Sequence, residues 1–202
     1  MKFIFFGTPK ESTIVLDTLL ARGFSPSLIV TAPDRPSGRG LQITESPVAV
    51  WAKEHSIEAL KHETLRTEES LALIKEKVAD TDLAIVFAYG KIIPQNILSL
   101  FTKGVLNIHP SLLPLHRGPA PVEGAILSGD TVTGVSIMVL DSEMDHGPIL
   151  AQEKITIGED ETTPELLETL VRLGAEKLAD IVLDYIDGNI SAKEQDHSIA
   201  TY

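Results

Sequence analysis

The sequence predicts an α/β chain: a mostly parallel twisted sheet flanked by helices, with an antiparallel strand pair toward the C-terminal half. Three observations carry this. The runs at 2–6, 26–31 and 82–90 are short and mostly apolar, 82–90 nearly continuously so, as strands buried on both faces of a parallel sheet are. The first two are separated by a segment of helical spacing, and strand–helix–strand in that order is a βαβ unit. The length, 202 residues with 43% hydrophobic, suits one such domain with a sizeable core.

The elements follow in order. "KFIFF" (2–6) reads as a buried strand, and "GTP" breaks it. Residues 11–22 repeat apolar side chains at Ile14, Val15, Leu19 and Leu20 and close at Gly23, a helix with its stop signal. "PSLIVT" (26–31) is the second strand. The polar stretch 32–47 holds three prolines and two glycines and reads as a loop ending at a helix that starts near Pro47. Residues 66–79 form a charged amphipathic helix, 82–90 a central strand and 105–109 the next. Segment 133–141 alternates loosely, and 149–157 is its expected antiparallel neighbour. Thr163 is the expected cap of a long helix with Pro164 at its first position and Gly188 at its end. Its apolar face runs through Leu166, Leu170, Val171, Leu178, Ile181 and Tyr185.

Composition excludes several classes of function. There are no cysteines, so no disulfide framework, thiolate nucleophile or zinc–thiolate site is available. This fits a cytoplasmic protein. No apolar run approaches the ~20 residues of a membrane-spanning helix. The N-terminus has too short an apolar stretch for a signal peptide. With Lys+Arg 17 against Asp+Glu 29, the formal charge is −12. Such a chain is a poor general binder of phosphate backbones, so a nucleic-acid partner would have to be gripped by a local basic patch or another domain.

The unusual residues fall at strand ends, where open α/β sheets bind ligands. Asn107 and His109, two apart on an extended strand, point to the same side. An amide and an imidazole together offer a donor for a developing oxyanion and a proton shuttle. Pro110, Pro114, Pro119 and Pro121 stiffen the loop that follows. In "MVLDSEMDHGP" (138–148), Asp145 is the foremost candidate for a carboxylate that orients His109 and raises its pKa. Asp141 and Glu143 remain alternatives on charge alone. "FGTPKES" opens a helix but has neither GxGxxG nor GxxxxGK[ST]. His109, His116, Asp145 and His146 match no compact metal motif, so no metal is expected. His55, His62 and His197 read as structural or solvated, and Trp51 as helix packing. Arg35 and Arg39 put two guanidinium groups on the 32–47 loop, where they could meet phosphate.

Several runs together resemble the methionyl-tRNA formyltransferase family, within the wider group of 10-formyltetrahydrofolate-dependent formyltransferases. They are "FFGTP" (5–9), "APDRPSGRG" (32–40), "SPV" (46–48), "AYGKIIP" (88–94), "NIHPSLLPLHRGPAPVEGAI" (107–126), "TGVSIMVLDSEMDHGPIL" (133–150) and the closing "ATY". The N-x-H…SLLP…D set marks the wider group. The PDRP-x-GRG loop and the RG-x-AP run point to the tRNA enzymes.

The resemblance implies a Rossmann-like formyltransferase fold for a catalytic domain spanning 1–202, with 10-formyltetrahydrofolate as co-substrate and initiator methionyl-tRNA as acceptor. No metal, membrane or obligate protein partner is implied. Asn107, His109 and Asp145 fall on the catalytic positions. The folate would be held by Phe87, Ala88, Tyr89, Gly90, Ile92 and Asp141, with Ser111, Leu112, Leu113 and Pro114 as a wall, and its pterin would lie between the 86–92 strand end and the 139–145 loop. Arg35, Gly38, Arg39 and Gly40 fall on the tRNA-contacting loop. Competing readings are an amino-sugar-nucleotide N-formyltransferase and a non-catalytic folate-binding module. The chain departs from the family at Lys10, Glu11 and Ser12 after "GTP", and at Glu123, where glutamine is common. The family's tRNA-holding C-terminal β-barrel would lie beyond Tyr202, so the chain is expected to be an excised catalytic domain, with a naturally short relative as the alternative.

Overall fold

In a computed structural model, residues 1–37, 42–79 and 81–202 are described. They divide into two compact units, Met1–Val105 and Leu106–Tyr202.

The first unit opens with β1 (Lys2–Gly7), whose residues after Lys2 are all buried, and α1 (Lys10–Ala21). Then come β2 (Ser25–Thr31), a short hairpin of β3 (Arg35–Ser37) and β4 (Gln42–Thr44), and α2 (Pro47–Glu54). The hairpin occupies ground expected to be loop. α2 begins as expected at Pro47, with the Ser46 hydroxyl accepting from Ala49 N at 3.0 Å. β5 (Ala59–Lys61), α3 (Glu68–Val78), β6 (Ala84–Phe87) and α4 (Gln95–Leu98) complete the unit. The strands run in the order β5-β2-β1-β6, every neighbour parallel. Trp51 packs in the core and donates its indole N–H to Asp17 at 2.6 Å.

β7 (Val105–His109) leads into the second unit, followed by α5 (Pro121–Leu127), β8 (Val132–Val139), β9 (Ile149–Thr156) and α6 (Thr163–Ile186). β8 pairs antiparallel with β9, as the sequence predicts, and also with β7. α6 packs on β8, and Gly174 is the point of closest approach. A Cβ there would press on Ile108 and Val135, both β-branched and stiff. α6 starts differently from expectation. Its cap is Thr162, because Glu165 reaches back to accept from the Thr162 N–H at 3.0 Å. Its buried stripe takes Gly174, Ala175, Ala179 and Val182, while Ile181 and Tyr185 are only half-buried. Among the described residues, no helix is long and apolar enough to cross a membrane.

Candidate active site

The direction of β7's side chains is fixed by its packing. Ile108 faces α6 at Gly174, so Asn107 and His109 project from the opposite face. Both are buried, with 8% and 4% of their surface exposed. In register they stand beside Met138 and Ser136 of β8.

His109 is held by two neighbours. Its Nε2 lies 2.9 Å from the carbonyl oxygen of His116. A carbonyl only accepts, so Nε2 carries the hydrogen and a neutral ring keeps its lone pair on Nδ1. That nitrogen faces Asp145, with Nδ1 and Oδ1 3.6 Å apart. Burial pushes the imidazole pKa below its usual value, while Asp145 and the His116 carbonyl pull it up less strongly. Asp145 does act in the raising direction the sequence suggests, but the net displacement is downward. The site is drier than a strand end in a sequence suggests, and desolvation wins.

Asp145 sits in a strained turn, at φ +50°, a conformation Asp and Asn tolerate better than other side chains. Its Oδ2 accepts from Gly118 N at 2.8 Å. The turn lies so close under the end of β8 that a Cβ on Gly147 would collide with the Val139 carbonyl. Asp141, the alternative carboxylate, faces elsewhere: its Oδ2 lies 2.7 Å from His146 Nδ1 and its Oδ1 accepts from Glu143 N at 2.9 Å. Among the described residues, no side-chain hydrogen bond engages the Asn107 amide, which leaves its donors available.

The segment after His109 is stapled to β8 and β9 by side chains that sequence reasoning did not single out. The hydroxyl of Ser136, fully buried, donates to Ser111 O at 2.7 Å and accepts from Leu113 N at 3.0 Å. Gln152 donates to that same hydroxyl and to Leu113 O, each at 2.9 Å. Ser111 and Leu113 are buried, and Leu112 and Pro114 half-buried. Pro121 does not belong to this loop, since it opens α5 at the first turn, where its missing N–H costs nothing.

The remaining expected positions lie in the first unit. Phe87 ends β6, and Ala88 and Gly90 take positive φ values of +48° and +74°, which is why the strand stops short of Gly90. Tyr89 is buried with its hydroxyl unpartnered among the described residues, and burial pushes its pKa up to about 12. Ile92 is 71% exposed. Ser12, one of the departures after "GTP", is fully buried and donates to Phe87 O at 3.0 Å. Arg35 stands exposed, 3.5 Å from Glu63. Gly38, Arg39 and Gly40 lie outside the described residues.

A buried amide and imidazole thus share one strand face, with a carboxylate held against the imidazole by a strained turn, a grouping suited to moving a proton. The formyl transferase family matches residues 1–182, and the chain belongs to that family. It is 46% identical over 201 residues to methionyl-tRNA formyltransferase of Chloroflexus aggregans, and 38% over 202 residues to that of Thermotoga maritima. Each match covers 100% of this chain and 64% of the relative, so the chain spans a little under two thirds of their length. The fold is also that of glycinamide ribonucleotide transformylase 1 from Symbiobacterium toebii. There the TM-score is 0.76 at 18% identity, over 96% of this chain and 93% of that one. An N-formyltransferase from Helicobacter canadensis, solved in complex with folinic acid and dTDP-3-aminofucose, gives 0.70 at 16% identity over 100% of this chain and 70% of its own.

Proposed function

We propose that this chain transfers a formyl group from 10-formyltetrahydrofolate to the α-amino group of methionine on initiator methionyl-tRNA, in the cytoplasm. The observation that carries the reading is the His109–Asp145 arrangement: an imidazole whose Nε2 is bonded to the His116 carbonyl and whose Nδ1 faces a fixed carboxylate. Family membership and the names of the relatives support the reaction and the acceptor.

The geometry supports the following roles. The methionyl nitrogen attacks the formyl carbon, and the carbonyl electrons move onto oxygen. The Asn107 amide donates to that oxyanion. The nitrogen gives up its proton to His109 Nδ1, and Asp145 stabilises the imidazolium so formed. Collapse of the tetrahedral species breaks the bond to N10 of the folate, which leaves carrying a proton returned through His109. No covalent enzyme intermediate is needed, and positioning supplies much of the rate. By the family resemblance the folate is assigned to Phe87, Ala88, Tyr89, Gly90, Ile92, Ser111, Leu112, Leu113, Pro114 and Asp141. The acceptor tRNA is assigned to Arg35, Gly38, Arg39 and Gly40.

The test is formyl transfer from 10-formyltetrahydrofolate to charged initiator tRNA by the full-length protein, beside its His109→Ala variant. Transfer that depends on His109 upholds reaction and site together. Transfer to an amino-sugar nucleotide in place of the tRNA overturns the acceptor. Undiminished transfer by the variant overturns the site.

A further inference from the structure

The last residues of the chain, beyond the 1–182 matched by the family, are built into the site from behind. After α6 the chain returns to β9, with Lys193 and Ile149 exchanging two backbone hydrogen bonds of 2.8 Å. Gln195 follows, with 6% of its surface exposed. Its amide nitrogen donates to Asp145 O at 2.9 Å and Gly147 O at 2.7 Å. Its oxygen accepts from Arg117 Nη2 at 2.8 Å. Since Gly118 N, next in the chain after Arg117, holds the Asp145 carboxylate, a closed ring results. It runs from Asp145's side chain to Gly118, through Arg117 to Gln195, and back to Asp145's own carbonyl.

Thr201 completes the hold from the other side. Its hydroxyl accepts from His116 N at 2.8 Å, its carbonyl from Arg117 N at 2.8 Å, and its N–H donates to Pro114 O at 3.1 Å. It therefore fixes the peptide whose carbonyl sets the His109 ring. Arg117, buried, is further tied to His197 Nδ1 at 2.8 Å and to the Tyr202 hydroxyl at 3.3 Å. One segment thus grips both loops that aim His109 and Asp145 at each other.

We infer that residues 195–202 form a clasp, with Gln195 and Thr201 as positioning residues for the His109–Asp145 pair. The inference rests on the proposed catalytic reading of that pair. A buried amide bonded to two carbonyls and a guanidinium is fully satisfied, and removing its donors leaves both carbonyls of a strained turn unpaired. The turn then relaxes, and Asp145 leaves its place beside Nδ1.

The variant of choice is Gln195→Glu, which keeps an acceptor for Arg117 and sets a carboxylate oxygen where the amide donors face the Asp145 and Gly147 carbonyls. In the full-length protein, kcat is expected to fall about 100-fold, the scale of a 1 Å misplacement, with KM for both substrates within about threefold. The NMR pH titration of the His109 imidazole moves to lower pH as the attraction of Asp145 is withdrawn, whereas the added carboxylate alone would raise it and mere loss of stability would not move it. A folded Gln195→Glu protein with kcat within about threefold of the parent and an unchanged His109 titration overturns the clasp. Where Gln195→Glu fails to fold, Thr201→Val, which removes one acceptor at the other loop, is judged by the same two readouts. Asp145→Asn, measured alongside, separates the two ideas. If it is inactive while Gln195→Glu is not, only the clasp falls. If it keeps full activity, the catalytic reading falls, and the clasp is decided by the His109 titration alone.

Discussion

Removing the charge on Asp145 without changing its shape tests the site most directly. Oδ1 lies 3.6 Å from His109 Nδ1, and two unit charges at that distance attract by roughly 4–5 kcal/mol at an effective dielectric of about 20. The carboxylate charge is spread over two oxygens, and the side chain keeps 13% of its surface in solvent, so roughly 2–3 kcal/mol of that is expected to act on the imidazolium. Asparagine still accepts from Gly118 N through its own oxygen and tolerates the φ of +50°. Asp145→Asn should therefore lower kcat by roughly 30- to 150-fold with little change in the unfolding midpoint. Asp145→Ala should be worse in a second way. It also loses the Gly118 hydrogen bond, about 1 kcal/mol, and puts an ordinary side chain into left-handed backbone, about 1–2 kcal/mol more. The assay is single-turnover formyl transfer to charged initiator tRNA by the full-length enzyme at saturating substrate. An Asn variant within about threefold of the parent would refute the charge argument.

Two further outcomes are expected. Ser136→Ala removes a fully buried hydroxyl that makes three hydrogen bonds. It should cost roughly 2–3 kcal/mol of stability in urea unfolding and, with the Leu112–Leu113 wall loosened, raise KM for the folate more than it lowers kcat. Burial depresses the His109 pKa, so the unfolded chain takes up that proton first on acidification. Stability present above about pH 6.5 is lost as pH falls through the lower folded-state value. Urea midpoints measured across this range should fall with pH, and His109→Gln should flatten that slope.

The parts of the fold that local pattern encodes were legible. The first βαβ unit, β7 and the β8–β9 pair stand within about two residues of where apolar runs and turn residues put them. What was missed is short or small. β5, α4 and α5 have three, four and seven residues, too few for a period to emerge. α5 was further hidden by Pro121, which a loop and a helix N-terminus use equally well. On α6 the buried stripe runs through glycine and alanine, which a search for large apolar side chains passes over. The site divides the same way. Asn107 and His109 share a face because of their spacing alone. Among Asp141, Glu143 and Asp145, charge could not decide which meets His109; a left-handed turn and the N–H of Gly118 do. Gln195 acts on Asp145 across fifty positions of chain, and no local pattern announces such a contact.

The balance of forces on His109 also bears on what the site can do. Had the carboxylate outweighed burial, the balance would shift toward the imidazolium, in which Nδ1 has no lone pair to offer. With burial dominant, the ring rests neutral, and the hydrogen committed to the His116 carbonyl leaves Nδ1 as the basic atom. Asp145 stabilises little in that resting state, because a carboxylate has no proton to give a lone pair. In the proposed reaction its attraction is felt once the attacking amine's proton arrives. On the proposed mechanism the strongest interaction of the pair exists in the reacting state and not before it, which is the condition for an interaction to raise kcat and not merely tighten binding.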